Sequence, residues 1–146
     1  MKIAIGSDHA GFPLKEVLRA YLLEKQVEVL DQGCFGLESV DYPVFAEKVG
    51  RTVTSGEADL GVLVCGTGIG ISMAANKIQG IRAALCHNSY ASEMARLHND
   101  ANVLCLGARV LGEGVALHVL ERFLQTEFEG GRHQRRVDQI SALEKD

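Results

Sequence analysis

A cysteine followed by three alternating glycines is the part of this sequence best suited to chemistry. Cys65 ends an apolar, β-branched run, and Gly66, Gly68 and Gly70 lead into a segment of helical character. Glycine lets the backbone turn sharply and brings its N–H groups close to a ligand. Because a helix N-terminus adds free donors and the positive end of a dipole, the pattern predicts an anion-binding loop with a thiol at its rim.

The position of Cys65 predicts a catalytic thiolate, which is favoured beside a helix N-terminus and can act as nucleophile or general base. The alternative is a buried structural cysteine, the role we predict for Cys86 and Cys105. The glycine loop alone fits a plain tight turn about equally well. It lacks the GxGxxG spacing of a dinucleotide site and the Gly-Lys-Ser/Thr of a P-loop.

Further polar residues follow other strand-like runs. Asp8 and His9 come after the first run, where they offer an acid/base pair and an anion contact or simply cap a turn. Arg109 follows the fifth run. Arg132 and Arg136 are one helical turn apart, so both can grip one phosphate, although a solvated helix face is the alternative.

His98 is expected at a different place in the fold from the residues that follow the strands. It lies near the end of the fourth predicted helix, where a lone histidine is more often a C-terminal cap. That helix starts at the carboxyl edge of the sheet and runs away from it, so His98 is expected near the opposite edge. If His98 is catalytic, it serves the site of a neighbouring subunit. We assign no functional role to the remaining histidines, His87, His118 and His133.

Strand and helix patterns alternate along the chain. The predicted strands are residues 2–6, 27–30, 60–65, 81–85 and 102–106. The predicted helices are residues 12–25, 42–55, 71–77, 89–97, 112–127 and, as an extra amphipathic C-terminal helix, about 130–144. Nearly continuous apolar strands between helices predict a Rossmann-like α/β three-layer sandwich around a five-stranded parallel sheet.

The expected strand order is the flavodoxin-like 2-1-3-4-5, which places the ligand crevice between strands 1 and 3. Asp8, His9 and Cys65 then converge on one crevice, and this convergence is stronger evidence than either motif alone.

Composition excludes several classes of function. A chain of 146 residues with 47% hydrophobic and 23% charged residues fits one domain, residues 1–146. A net charge of −4 disfavours nucleic-acid binding, and the apolar runs are too short to span a membrane. The four cysteines lack CxxC spacing, which favours free thiols and a cytoplasmic protein over disulfides or zinc.

The motifs together closely resemble the ribose-5-phosphate isomerase B family, which belongs to a superfamily with the galactose-6-phosphate isomerase subunits. The matching blocks run in order from residue 2 to residue 143. They are GSDHAG at 6–11, DYP at 41–43, CGTGIG at 65–70, AANK at 74–77, GIRA at 80–83, HNDAN at 98–102 and GGRH at 130–133. Another branch replaces the cysteine by a glutamate one turn into the next helix; Ile71 and Ser72 stand there, so Cys65 is the expected base.

The resemblance implies interconversion of D-ribose 5-phosphate and D-ribulose 5-phosphate, a reaction of the pentose phosphate pathway, through a cis-enediolate without metal or organic cofactor. It implies that Cys65 moves the proton between C2 and C1, and that His98, with Asp8 assisting, opens the furanose ring. The implied substrate-binding residues are the loop amides of Gly66, Thr67, Gly68, Ile69 and Gly70, the side chains of Thr67, Asn99 and Tyr42, and the phosphate ligands His9, Arg109, Arg132 and Arg136.

The resemblance also implies a homodimer with shared active sites, with the C-terminal helix at its interface, and tetramers are common in the family. Two alternatives stay open. One is a hexose 6-phosphate isomerase acting on allose or galactose phosphates, and the other is a non-catalytic phosphosugar-binding module.

Overall fold

A computed structural model describes residues 1–144 of the chain, in which strands and helices alternate. The strands are β1 (Lys2–Ser7), β2 (Glu28–Asp31), β3 (Leu60–Cys65), β4 (Ala83–Leu85) and β5 (Val103–Gly107). The helices are α1 (Phe12–Glu24), α2 (Tyr42–Thr54), α3 (Ile69–Ala75), α4 (Ser89–Asn99), α5 (Glu113–Gln125) and α6 (Arg132–Ala142). Residues 145 and 146, the end of the predicted 1–146 domain, lie outside the described residues.

The five strands form one parallel sheet, so the predicted fold class is confirmed, with one correction to the strand order. The observed order is β2-β1-β3-β5-β4, which interchanges the last two strands of the predicted 2-1-3-4-5. All five residues of β5 are buried, whereas the three residues of β4 are only half-buried. The longer, fully apolar strand therefore takes the position beside β3, and the short alanine-rich strand forms the edge.

Two hydrophobic layers cover the sheet. On one face, Val62 and Leu104 of the sheet pack with Leu18 of α1 and with Leu120 and Phe123 of α5. On the other face, the sheet packs against α2 and α3, with Leu63, Cys105, Val49 and Ile71 in one buried cluster. Helices that follow neighbouring strands β1 and β3 thus lie on opposite faces, which opens a crevice between the carboxyl ends of those strands.

A buried ion pair fixes the chain beside that crevice. The Lys15 side chain is fully buried, and its Nζ donates to the two carboxylate oxygens of Asp31 at 2.7 and 2.9 Å. Asp31 also accepts from the Gly33 N–H at 2.9 Å, and the Gly33 carbonyl accepts from the Ser7 N–H at 2.7 Å. The ion pair therefore holds the segment after β2 against the last residue of β1, next to Asp8.

The C-terminal helix α6 is only partly covered by its own chain. It packs against α4 through His133 and Val137, which are buried. Ile140 and Leu143, two apolar residues of the segment predicted as an amphipathic C-terminal helix, remain 44% and 83% exposed. The extra helix thus leaves part of its apolar surface uncovered.

Among the helices of residues 1–144, none combines the length and apolar character needed to cross a membrane.

The packing on α5 generates a stability prediction. Phe123 is fully buried between α5 and the sheet, so Phe123→Ala leaves a cavity and is expected to cost about 3–5 kcal/mol of unfolding free energy. The matched control is Leu23→Ala on α1, where the side chain is 50% exposed and the expected loss is below about 1 kcal/mol. Urea denaturation followed by circular dichroism measures both, and equal losses would contradict the assignment of the core.

Candidate active site

The thiol of Cys65 lies at the carboxyl end of β3, directly before α3. The residue is 4% exposed, and its Sγ accepts a hydrogen bond from the Gly68 N–H at 3.2 Å. Gly68 caps α3 in the left-handed conformation, with φ +77°, which turns its amide toward the sulfur. The helix consequently begins at Ile69, two residues before the predicted residue 71. A backbone donor aimed at sulfur stabilises negative charge on the thiol.

Two of the loop amides have hydrogen-bond partners within the chain. The Gly68 amide is directed to sulfur, and the Ile69 amide donates to Thr67 Oγ1 at 3.2 Å. Both groups were predicted to face substrate oxygens. In the free chain they hold the loop in shape, and their contact with substrate oxygens stays a prediction.

Close packing keeps the loop in place. A Cβ atom built on Gly68 would lie 2.5 Å from Leu85 Cδ1 and 2.8 Å from the carbonyl carbon of Leu106. A Cβ atom on Gly107, at the end of β5, would lie 2.5 Å from the Thr67 carbonyl oxygen. Glycine is thus required at both positions, because any side chain there would push the loop off the end of β5.

Two larger side chains lie against the loop from either end. Tyr42, the first residue of α2, covers Gly70 so closely that a Cβ there would be 2.7 Å from the tyrosine hydroxyl. The Arg109 side chain lies over Gly66, with Nη1 at 3.1 Å from a Cβ built there. The backbone N–H of Arg109 donates to the Gly66 carbonyl at 2.9 Å. The structure therefore brings both predicted binding residues to the loop that follows Cys65.

Asp8 and His9 lie on the neighbouring strand end. Asp8 is buried, and its Oδ1 accepts from the Gly11 N–H at 2.9 Å, so it does cap the turn after β1. His9 Nδ1 accepts from the Val40 N–H at 3.1 Å. From that hydrogen bond we assign the neutral tautomer with its proton on Nε2. His9 therefore presents a donor, which suits an anionic ligand.

His98 lies at the opposite edge of the sheet, as its place in the chain predicts. It is the penultimate residue of α4, and the neighbouring Asn99 carbonyl accepts from Nε of Arg82, which precedes β4. A strand as long as β3 spans about 20 Å. His98 and Cys65 of one chain therefore cannot act on the same small molecule.

The surroundings of His98 include a residue to which the sequence analysis gave no role. The His133 ring stacks on the His98 ring with centroids 4.2 Å apart and planes inclined by 11°. Arg132 and Arg136 flank His133 on α6 and are exposed. The burial of His133 could have been predicted from helical spacing, because His133 shares a helix face with Val137 and Ile140.

The pKa of His133, beside His98, is lowered, whereas the pKa values of two buried cysteines are raised. Burial lowers the pKa of His133, and the neighbouring His98, Arg132 and Arg136 lower it further, against an opposing effect of Glu129. Burial raises the pKa of the Cys86 thiol to about 11, and burial with the nearby Cys65 and Cys86 raises the pKa of Cys105 far above its usual range. Cys86 and Cys105 therefore remain protonated thiols of the core, as predicted.

The chain thus carries two separate groups of predicted site residues. The thiol half-site, at the carboxyl edge of the sheet, comprises Asp8, His9, Tyr42, Cys65, Gly66, Thr67, Gly68, Ile69, Gly70 and Arg109. The histidine half-site, at the amino edge, comprises His98, Asn99, Arg132 and Arg136. A cleft of about 560 Å³ beside the histidine half-site is lined by Asn99 and the exposed Ile140 and Leu143, and Cys65 does not line it.

Comparison with known proteins gives a consistent result. A sequence model of the ribose/galactose isomerase family matches residues 3–140. Ribose-5-phosphate isomerase B of Escherichia coli strain K12 is 49% identical over 144 residues, covering 99% of this chain and 97% of that protein.

Solved structures agree with the sequence comparison. A Clostridium thermocellum ribose-5-phosphate isomerase B is 54% identical with a TM-score of 0.99, covering 99% of this chain and 98% of that one. The Mycoplasma genitalium ribose-5-phosphate isomerase B with bound ribulose-5-phosphate is 44% identical with a TM-score of 0.94, covering 99% and 97%.

The loop geometry predicts the outcome of one substitution. Gly68→Ala combines a left-handed φ with a clash against the β5 backbone, so we expect a loss of about 1–3 kcal/mol in unfolding free energy. Gly114→Ala, within α5 and with no atom near its added methyl group, is expected to be neutral or stabilising by up to about 1 kcal/mol. Urea titration of both variants checks this, and a neutral Gly68→Ala would show that the loop tolerates a side chain.

Proposed function

The chain belongs to the ribose/galactose isomerase family, and we propose that it interconverts D-ribose 5-phosphate and D-ribulose 5-phosphate. The observation that carries this proposal is the Cys65 thiol, held at the ligand crevice with the Gly68 amide 3.2 Å from its sulfur. A base at that place suits proton transfer between neighbouring carbons of a sugar. The bound ribulose-5-phosphate of the Mycoplasma genitalium relative supports the substrate class.

Ribose 5-phosphate exists mainly as a closed furanose, so the ring must open first. In the proposed step, Asp8 accepts the proton of the C1 hydroxyl while His98 delivers a proton to the ring oxygen. The bond between C1 and the ring oxygen breaks as the carbonyl at C1 forms. Thr67 and Asn99 hydrogen-bond the sugar hydroxyls during this step.

Isomerisation then proceeds through a cis-enediolate. The Cys65 thiolate takes the proton from C2, the electron pair of that bond forms the double bond between C1 and C2, and negative charge moves onto the C1 oxygen. Amides of the 66–70 loop stabilise that charge. Cys65 returns its proton to C1 while the proton of the C2 hydroxyl passes to the C1 oxygen, which leaves the ketone at C2. No electron leaves the substrate.

The phosphate is assigned to hydrogen-bond donors and positively charged side chains of both half-sites. His9 offers its Nε2–H, and the exposed Arg109, Arg132 and Arg136 offer guanidinium groups suited to phosphate oxygens. A phosphorylated substrate and four free, buried thiols fit a cytoplasmic enzyme.

We assign the active unit to a homodimer in which each site joins the thiol half-site of one chain to the histidine half-site of its partner. The separation of Cys65 and His98 by the length of β3 supports this assignment, since neither group is sufficient alone. The exposed Ile140 of α6 and Leu143, the residue after that helix, supply apolar surface for such an interface. A tetramer of two such dimers is compatible with the same pairing.

The first test follows ribose 5-phosphate by proton NMR in deuterated water with EDTA present. We expect ribulose 5-phosphate with deuterium at C1, and we expect Cys65→Ala to lose about two to four orders of magnitude in turnover. Cys105→Ala, another buried free thiol, is the matched control for loss of a cysteine. Near-normal turnover by Cys65→Ala would refute its role as base. If the protein converts allose or galactose 6-phosphate but not ribose 5-phosphate, it is a hexose 6-phosphate isomerase. If it converts none of these sugars, it is a binding module.

Sharing of the site between chains predicts complementation. Cys65→Ala and His98→Gln chains are each expected to be nearly inactive, but co-refolding them in equal amounts creates mixed dimers with one intact site. Statistical pairing restores about a quarter of wild-type turnover, because half of the dimers are mixed and each has one of two sites intact. Absence of recovery, with mixed dimers confirmed by mass spectrometry, would contradict the shared site.

A further inference from the structure

The position of His98 is set by more than its own helix. The segment between α5 and α6 is tied to α4 by a hydrogen bond from the Glu129 N–H to the Leu97 carbonyl at 3.0 Å, one residue before His98. That bond brings the Glu129 carboxylate to His98, with Oε2 at 3.9 Å from Nε2. The same Oε2 atom lies 3.7 Å from Nε2 of His133. One carboxylate therefore faces both stacked imidazoles.

His133 is the unusual member of this group. Its side chain is buried, and within residues 1–144 its Nε2 has no hydrogen-bond partner. An unpaired buried polar atom costs free energy, so its retention in the fold requires a reason. Its pKa is lowered mainly by burial, which keeps the ring neutral beside His98.

A metal site is the first use to consider, because the ligand atoms of His98, Glu129 and His133 lie within 4.8 Å of one another. A metal ion binds in the plane of each imidazole, about 2.0–2.1 Å from nitrogen. Two rings stacked with planes inclined by only 11° direct their lone pairs side by side rather than toward one point. The arrangement of the two rings therefore favours a role for these three side chains that involves no bound metal ion.

We propose that His133 and Glu129 are positioning residues for His98, which hold its imidazole in the orientation needed to open the ribose ring. The proposal rests on the proposed function. His133 provides a neutral stacking surface that fixes the plane of the His98 ring. Glu129 faces Nε2 and stabilises the protonated ring, which leaves Nδ1 to exchange a proton with the sugar bound to the partner chain.

The groups that surround His98 support this division of roles. Glu129 is the anion that faces it from the α5–α6 segment, and Asp100, the residue after α4, is paired with Arg96 at 3.0 Å. From α6, His133 stacks on His98, and Arg132 and Arg136 lie close enough to His133 to lower its pKa. The carboxylate is thus placed to balance an imidazolium at His98 when it donates its proton to the ring oxygen. That proton passes to oxygen as the bond from C1 to the ring oxygen breaks, and His98 becomes neutral.

Ribulose 5-phosphate allows ring opening to be separated from proton transfer at carbon. Its C5 oxygen carries the phosphate, so it cannot close a furanose and enters the site as an open chain. Exchange of its C1 hydrogen with deuterated water requires Cys65 but no ring opening. A positioning role for Glu129 and His133 therefore predicts a selective loss, which general damage to the fold would not produce.

The experiment compares Glu129→Gln and His133→Ala, which removes the stacking ring, with Glu127→Gln, a control that removes an exposed carboxylate from the same segment. We expect both test variants to lose at least about tenfold in turnover of ribose 5-phosphate, whereas exchange into ribulose 5-phosphate falls by less than about twofold. Glu127→Gln is expected to match the wild type in both measurements. His133→Phe keeps a neutral ring for stacking and is therefore expected to retain most of the turnover that His133→Ala loses, and Glu129→Gln changes only an exposed side chain.

The outcomes separate the two proposals. Equal loss of both reactions, or no loss of either, would overturn the positioning role. A wild-type protein that leaves ribose 5-phosphate unchanged would overturn the proposed function itself. A selective loss of ring-dependent turnover in both variants would establish that Glu129 and His133 act through His98.

Discussion

The parallel sheet imposes the constraint on which the rest of the arrangement depends. Every strand ends at the same edge, and every helix that connects two strands must carry the chain back to the other edge. A residue that ends a strand and a residue that ends a helix are therefore separated by the length of a strand. Cys65 and His98 occupy those two places, so a single chain keeps these two side chains at opposite edges of its sheet.

The thiol half-site is rigid because the loop has no freedom to move. Gly68, in the left-handed conformation, directs its amide to the Cys65 sulfur. The Thr67 carbonyl packs closely against Gly107, and Tyr42 covers Gly70. Preorganised donors of this kind act without reorganisation when charge develops. The buried ion pair of Lys15 and Asp31 extends the same rigidity to the neighbouring strand end that carries Asp8 and His9.

Much of this could be predicted from sequence, and the exceptions have physical causes. Apolar runs bounded by glycine and polar residues located all five strands, because burial on both faces leaves a continuous signal. The order of β4 and β5 could not be obtained in this way, since it depends on which strand buries more against β3. The hydrogen bond from the Gly68 amide to Cys65 Sγ could not be predicted either, because it depends on the backbone φ angle of Gly68.

His133 shows a different cause of failure. It stands between Arg132 and Gln134 in a polar stretch, and a polar stretch suggests a solvated surface. Its burial follows from a tertiary contact with α4, which is distant in sequence. The proposed substrate, in contrast, came from several matching motifs in order, which specify a function more closely than any single spacing.

The proposed division of one site between two edges of the sheet also bears on how such a gene can evolve. After duplication, one copy can lose its thiol and the other its histidine without loss of all activity, provided that the two products pair with each other. Each copy then becomes dependent on the other, and a self-paired enzyme turns into an obligate pair of unequal subunits. The surface of the abandoned half-site is freed in each copy to acquire a new ligand.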